Sequence, residues 1–187
     1  MDERSSTRTV LLVTAVSLAL FFLLCLFAMP MLFLTLLFGD DSGAAETLPD
    51  DLLLSIQGDF LWPLRDYGTH AITSPFGYRS SPGGIGSTNH KGVDVAAPKG
   101  TPVRAAGSGV VTISAYNSTS GHYIEVDHGN GLCTRYAHLS KRICSVGDRI
   151  EAGVILGLVG STGVSTGNHL HFELRYNGTA HDPMQLF

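Results

Sequence analysis

The stretch from Gly109 to His138, GVVTISAYNSTSGHYIEVDHGNGLCTRYAH, decides the fold class. It contains three runs rich in Val, Ile, Thr and Tyr: Gly109 to Tyr116, His122 to Asp127 and Leu132 to His138. Each is short, rich in strand formers and bounded by Gly, Asn or Ser, which reads as strand rather than helix. His128-Gly129-Asn130-Gly131 separates the last two, and Asn-Gly supplies the positive φ values that a tight hairpin needs. The same pattern extends outward from Leu61 to the C-terminus. Further runs are Ala71 to Thr73, Val93 to Ala96, Pro102 to Ala105, Ile155 to Val159 and His169 to Tyr176, and no stretch sustains a helical period. Eight short strands in roughly 120 residues predict an all-β domain, an antiparallel sheet or barrel-like fold. Most of the 22 glycines fall here, in loops such as Pro82 to Gly86 and Gly157 to Gly167. They serve turns, or let the backbone approach an extended ligand.

The N-terminal part reads differently. Val10 to Phe38 is 29 residues without a charge, interrupted only by Thr14, Ser17, Cys25, Pro30 and Thr35. About 20 apolar residues cross a hydrocarbon core of ~30 Å, so the run supplies one span and not two. The expected helix runs from Val10 to about Met29, with Pro30 kinking it or marking its exit. Arg4 and Arg8 precede the run and Asp40, Asp41 and Glu46 follow it, which places the N-terminus in the cytoplasm and the rest outside. A cleaved signal peptide competes with this reading, since Ser42-Gly43-Ala44-Ala45 is a small-residue stretch, but a signal core of ~7 to 15 residues is about half as long. The expected organisation is a cytoplasmic stub at 1–9, a single-pass transmembrane signal anchor at 10–38, an acidic extracellular linker at 39–59 and a β-domain at 60–187.

Charge follows the same division. The net charge of -4 over 187 residues comes from the linker, where Asp40 to Asp59 holds six acids and no base, while Phe60 to Phe187 has eight acids and ten bases. That weak balance argues against a nucleic-acid binder working through a strong basic field. The linker acids repel one another and extend the tether, whose one apolar patch, Leu52 to Ile56, either packs on the domain or meets a partner.

All eight histidines follow the linker. His90 and Asp94 are four apart, a spacing that brings both to one face if the chain is extended through Val93. His169 and His171 flank Leu170 at the start of a strand, so both imidazoles share one side. Two nitrogens and a carboxylate oxygen suit zinc and leave a fourth position open, as catalytic sites require. Tyr136-Ala137-His138 ends another strand with a further histidine.

Together these motifs resemble the lysostaphin-type (LytM-like) zinc metallopeptidases of bacterial cell walls. The resemblance is carried by His90 to Val103 (HKGVDVAAPKGTPV), Arg135 to Ser140 (RYAHLS), Gly160 to Gly163 (GSTG) and Gly167 to Glu173 (GNHLHFE). Ser74 to Arg79 (SPFGYR) resembles the family's opening segment, and Asp182-Pro183 its closing one. It runs from about Phe60 to the C-terminus and leaves out the apolar run and the linker. Asn168 departs from the Pro or Ala often found there.

The resemblance implies that His90, Asp94 and His171 hold one zinc ion, which activates a water. It makes His138 and His169 the unliganded pair that positions or deprotonates that water, without saying which is the base. It implies a zinc metalloendopeptidase acting on peptide cross-links of peptidoglycan, with peptidoglycan peptides as partners and a further envelope-complex partner reached through the linker. A silent relative serving as scaffold or activator in division, sporulation or secretion is the alternative; such relatives usually lose ligands, and none is missing here. Arg79 either meets a substrate carboxylate or braces a loop. His128 reads as a turn residue, and His70, His122 and His181 as surface or supporting residues. Cys133 and Cys144, the two thiols outside the apolar run, read as a disulfide in an extracellular domain, with two buried free thiols as the other reading.

Overall fold

A computed structural model describes residues 47–56, 58–79 and 87–187. The expected anchor at 10–38 lies outside them. Among the described residues no helix is long and apolar enough to cross a membrane.

In chain order the elements are helix α1 (Asp50–Ile56) and strands β1 (Ile72–Ser74), β2 (Gly77–Tyr78), β3 (Asn89–His90), β4 (Val93–Ala96), β5 (Pro102–Arg104), β6 (Gly109–Asn117), β7 (Gly121–Gly129), β8 (Leu132–Leu139), β9 (Lys141–Arg142), β10 (Arg149–Ile150), β11 (Ile155–Leu158), β12 (His169–Tyr176) and β13 (Thr179–His181). The large sheet has the order β1-β4-β12-β8-β7-β6-β10, with β13 beside β12. A smaller sheet, β5-β11-β9, and the pair β2-β3 complete the described strands. Every pairing of these strands is antiparallel. Among the described residues the order runs from β1 at one edge to β10 at the other, and the fold is mostly β, built of antiparallel sheets.

The expected runs at 93–96 and 169–176 coincide with β4 and β12, and the others shift by a residue or two. The β7–β8 hairpin turns where the sequence places it, with Asn130 and Gly131 at φ 51° and 78°. His128 is not a turn residue. It lies within β7, with Nδ1–H donating to Ser108 O at 2.8 Å and Nε2 2.8 Å from Thr134 Oγ1. Thr134 meets the Tyr136 hydroxyl at 2.9 Å, and that hydroxyl accepts the Ala106 N–H at 2.7 Å. Burial pushes the Tyr136 phenol up to about 12 and holds His128 below its ordinary value, so both stay neutral and this buried chain of polar groups is satisfied throughout.

Period-2 alternation divides the large sheet into two faces. Val93 and Val95 of β4, Leu170 and Phe172 of β12, Tyr136 and Leu139 of β8 and Ile124 and Val126 of β7 enter one buried cluster with Val103, Leu156 and Val159 from the smaller sheet and its border. Asp94, His169, His171 and Glu173 occupy the intervening positions and face the other way.

Ahead of these strands, Leu48 and Leu52 bury against Leu132 and Leu174 in a second cluster, and Leu48 N–H donates to Gln185 Oε1 at 2.7 Å. The Leu52 to Ile56 patch thus packs on the domain as the seven-residue α1. A helix this short draws its stability from that contact.

Cys133 and Cys144 are free thiols, so the disulfide expectation is corrected. Cys133 lies on β8 opposite Asp127 of β7. The Cys144 carbonyl accepts from Ser114 Oγ of β6 at 2.8 Å, and Ser114 aligns through Ile124 with Tyr136, three residues along from Cys133. Two strand spacings are about 10 Å, whereas a disulfide needs its Cα atoms within ~7 Å.

Candidate metal centre

The centre is assembled from four strands. In the β4–β12 pairing His171 stands opposite Asp94, and in the β12–β8 pairing it stands opposite Ala137. His90 arrives from β3, which pairs with β2 so that Gly77 faces His90. Gly92 makes the step from β3 to β4 possible, because a Cβ there would lie 2.2 Å from the backbone carbonyl oxygen of Phe172 in β12. His138, at the end of β8, adopts φ 60°, a left-handed conformation uncommon outside glycine. Its N–H donates to Ser120 O at 2.8 Å, and this twist interrupts the alternation of β8.

Three ligand atoms converge. His171 Nδ1 is 2.8 Å from Asp94 Oδ1, His90 Nε2 is 3.1 Å from the same oxygen, and the two nitrogens are 3.0 Å apart. His169 Nε2 stands 3.6 Å from Asp94 Oδ1. The His138 ring centroid is 4.8 Å from that of His169 and 5.8 Å from that of His171. The five site residues expected from the sequence therefore line one cleft of about 250 Å³.

The hydrogen bonds behind these rings fix which nitrogen faces the cleft. Nδ1 of His90 is 2.7 Å from Pro75 O, Nδ1 of His138 2.8 Å from Thr162 O, and Nδ1 of His169 2.9 Å from Gly167 O. Nε2 of His171 is 3.0 Å from Glu173 Oε1, whose other oxygen accepts from Arg175 Nε at 2.7 Å. A carbonyl or carboxylate can only accept, so each outer nitrogen donates and each inner nitrogen presents a lone pair. With the rings neutral, four imidazoles and a carboxylate thus aim acceptors at one another, and in the metal-free protein a proton on His171 Nδ1 bridges it to Asp94 Oδ1. Such a donor set repels itself when it holds neither proton nor metal, and fits a divalent cation with a preference for nitrogen and oxygen.

The titration behaviour has the same origin. Burial raises the Asp94 pKa, but hydrogen bonds from His171 and His90 pull it well below the carboxylate range. Burial lowers the pKa of His171, and its bonds to Asp94 and Glu173 outweigh that and lift it to about 9, so the metal-free cluster takes up a proton as its positive charge. Burial depresses His138 to about 4, aided by the neighbouring His169 and His171, leaving its Nε2 unprotonated at neutral pH. Burial raises the pKa of Glu173, yet the contacts with His171 and Arg175 bring it down to about 2.

Glu173, Arg175, Thr162 and Pro75 support these rings but carry no sequence signal of the kind that marks the histidines. Glu173 alone was readable, since it lies two residues after His171 on a strand and shares its face. His70 is exposed; His122 and His181 stand apart from the converging atoms, and His181 packs against Tyr176.

An open cleft with a His-Asp-His group that could hold a metal ion, and two further imidazoles beside it, is the arrangement that a metal-dependent hydrolase needs. The profile of Peptidase family M23 matches residues 88–183, just over half of the chain, and the chain belongs to that family. It is 45% identical over 115 residues to the DD-carboxypeptidase/endopeptidase Mpg of Neisseria meningitidis serogroup B, a match spanning 62% of this chain and 26% of the relative. Among solved structures it is similar to a zinc-containing peptidase from Vibrio cholerae (33% identity, TM-score 0.62, covering 68% of this chain and 40% of the other). It is also similar to the catalytic domain of lysostaphin from Staphylococcus simulans (38% identity, TM-score 0.57, covering 65% of this chain and 92% of the other). The chain spans about a quarter of the length of the curated relative it matches.

Proposed function

We propose that this chain is a membrane-anchored zinc endopeptidase that hydrolyses peptide cross-links of bacterial peptidoglycan. The observation that carries the reading is the convergence of His90 Nε2, His171 Nδ1 and Asp94 Oδ1 within 2.8–3.1 Å of one another, beside two further imidazoles whose Nδ1 atoms are held outward by backbone carbonyls. His90 Nε2, Asp94 Oδ1 and His171 Nδ1 would hold the ion, which when bound supplies Lewis-acid chemistry to a peptide carbonyl and its attacking water. His138 and His169 do the proton work. Their Nδ1 atoms donate outward, which turns each Nε2 lone pair to the cleft, so either can accept a proton from the attacking water and return it to the leaving amine. The Thr162 and Gly167 carbonyls hold the two rings in the tautomer this needs.

The substrate class is supported by the names of the relatives, among them a peptidoglycan DD-endopeptidase, ShyC, of Vibrio cholerae. Retention of all five site residues favours catalysis over a scaffold role. Anchoring is supported by the uncharged run at 10–38 with basic residues before it and acids after it.

The test is incubation of the full chain, loaded with zinc in detergent, with purified peptidoglycan of both glycine-bridged and directly cross-linked types. New amino groups should appear, and chelation or His171→Ala should abolish them. Folded, zinc-loaded protein that releases none from either substrate overturns the activity. Protease added to intact protoplasts should digest the C-terminal domain; its protection overturns the topology.

A further inference from the structure

Asp94 turns its two oxygens toward different surroundings. Oδ1 meets His171 and His90, whereas Oδ2 accepts from Arg79 Nη1 at 3.0 Å. The same Nη1 donates to Ser74 Oγ, and Ser74 stands opposite Asp94 in the β1–β4 pairing. The arginine backbone is tied on its other side, since Arg79 N–H donates to Thr88 O at 2.9 Å and so extends the β2–β3 ladder that sets Gly77 opposite His90. One arginine thus joins the strand bearing one ligand to the carboxylate of another. Both side chains are largely withdrawn from water, at 17% and 12% exposure.

We infer that Arg79 is a positioning residue that restricts Asp94 to ligation through Oδ1 alone; this rests on the metal-site reading above. A carboxylate can give a cation one oxygen or two. With two, His90, His171 and Asp94 would supply four donor atoms and fill a tetrahedral set, as closed structural sites do. With Oδ2 engaged by the guanidinium they supply three, and the remaining position opens on the cleft that takes the substrate. A permanently charged, planar donor suits this task, because it holds the oxygen at every working pH. Its positive charge beside the ligand set also opposes the cation, so Arg79 trades metal affinity for an open position. A residue that only braced the loop would have the opposite effect, and its loss would loosen the metal.

The sign of that effect is the test. The full chain in detergent is loaded with cobalt or zinc, and affinity is read by competition with a chromogenic chelator. Arg79→Met should bind zinc more tightly, by about tenfold, the scale on which groups behind a ligand act. Its cobalt form should show a shifted visible band as Oδ2 takes the fourth position, and its turnover should fall while zinc stays at one per chain. Arg79→Lys restores a cation near Oδ2 and should keep the wild-type spectrum. Weaker or unchanged zinc binding with an unchanged cobalt band in Arg79→Met overturns the proposal. Infrared spectra of the wild-type zinc form decide the matter even if that variant fails to fold: the carboxylate stretches should show one-oxygen ligation, and two-oxygen ligation overturns it. Wild-type protein that takes up neither metal would instead overturn the metal-site reading itself.

Discussion

Replacing Glu173 by Gln keeps the shape of a buried side chain and removes its charge. In the wild type, Oε1 accepts from His171 Nε2 at 3.0 Å and Oε2 from Arg175 Nε at 2.7 Å, with Glu173 only 6% exposed. A hydrogen bond to a charged group contributes about 1.5–3 kcal/mol. The amide oxygen can serve one of the two donors, after which the amide NH2 faces the other donor and leaves it unsatisfied. If His171 keeps its partner it is a neutral one, and the tautomer that turns Nδ1 toward Asp94 loses much of its preference. One such bond lost or weakened corresponds to roughly a tenfold to hundredfold loss of zinc affinity, the range found when a ligand's outer partner is removed. Competition against a chromogenic chelator at neutral pH measures this directly. In the metal-free protein the same change should lower the pKa of His171 from about 9. The raised value adds stability in full below the ordinary histidine pKa, and that stability fades as pH rises through about 9, so Glu173→Gln should flatten this dependence between those limits. Zinc affinity within twofold of wild type would refute the role given to Glu173.

Three further outcomes follow from the packing. Tyr136→Phe leaves the buried Ala106 N–H without its acceptor and should cost about 1–3 kcal/mol in urea unfolding; a loss below about 0.5 kcal/mol would mean that water replaces the hydroxyl. Leu48→Ala should cost about 2–5 kcal/mol, as a core Leu→Ala does, and a chain begun at Phe60 should lose at least as much, whereas equal midpoints would show that Leu48 is not part of the core. Gly92→Ala forces a Cβ against the Phe172 carbonyl, pushing β4 from β12, and should both lower the melting temperature and reduce zinc uptake; full uptake at wild-type affinity would contradict the close approach.

What the sequence made legible depended on locality. The β7–β8 hairpin was readable because Asn130-Gly131 states its own turn, and β12 because His169 to Tyr176 alternates without interruption. Strands β2, β3, β9 and β10 were not, since two residues carry no period and their pairing is fixed by distant partners. The site residues stood out as histidines in a strand pattern. The contacts of Arg79 and Thr162 did not, because what they touch lies across the sheet or in a distant loop rather than along the chain. His128 and the two cysteines show the converse. Judged by their sequence neighbours they looked like a turn residue and a disulfide; β7 holds His128 instead, and β8 carries Cys133 away from Cys144, whose carbonyl is tied to β6.

The most direct test of the central claim is mass spectrometry of a defined cross-linked muropeptide dimer after exposure to the zinc-loaded full chain. Conversion of the dimer to monomers, gaining one water per bond and lost in His171→Ala and on chelation, is the predicted result. Intact dimers, from both glycine-bridged and directly linked substrates, with one zinc bound per folded chain, would contradict it.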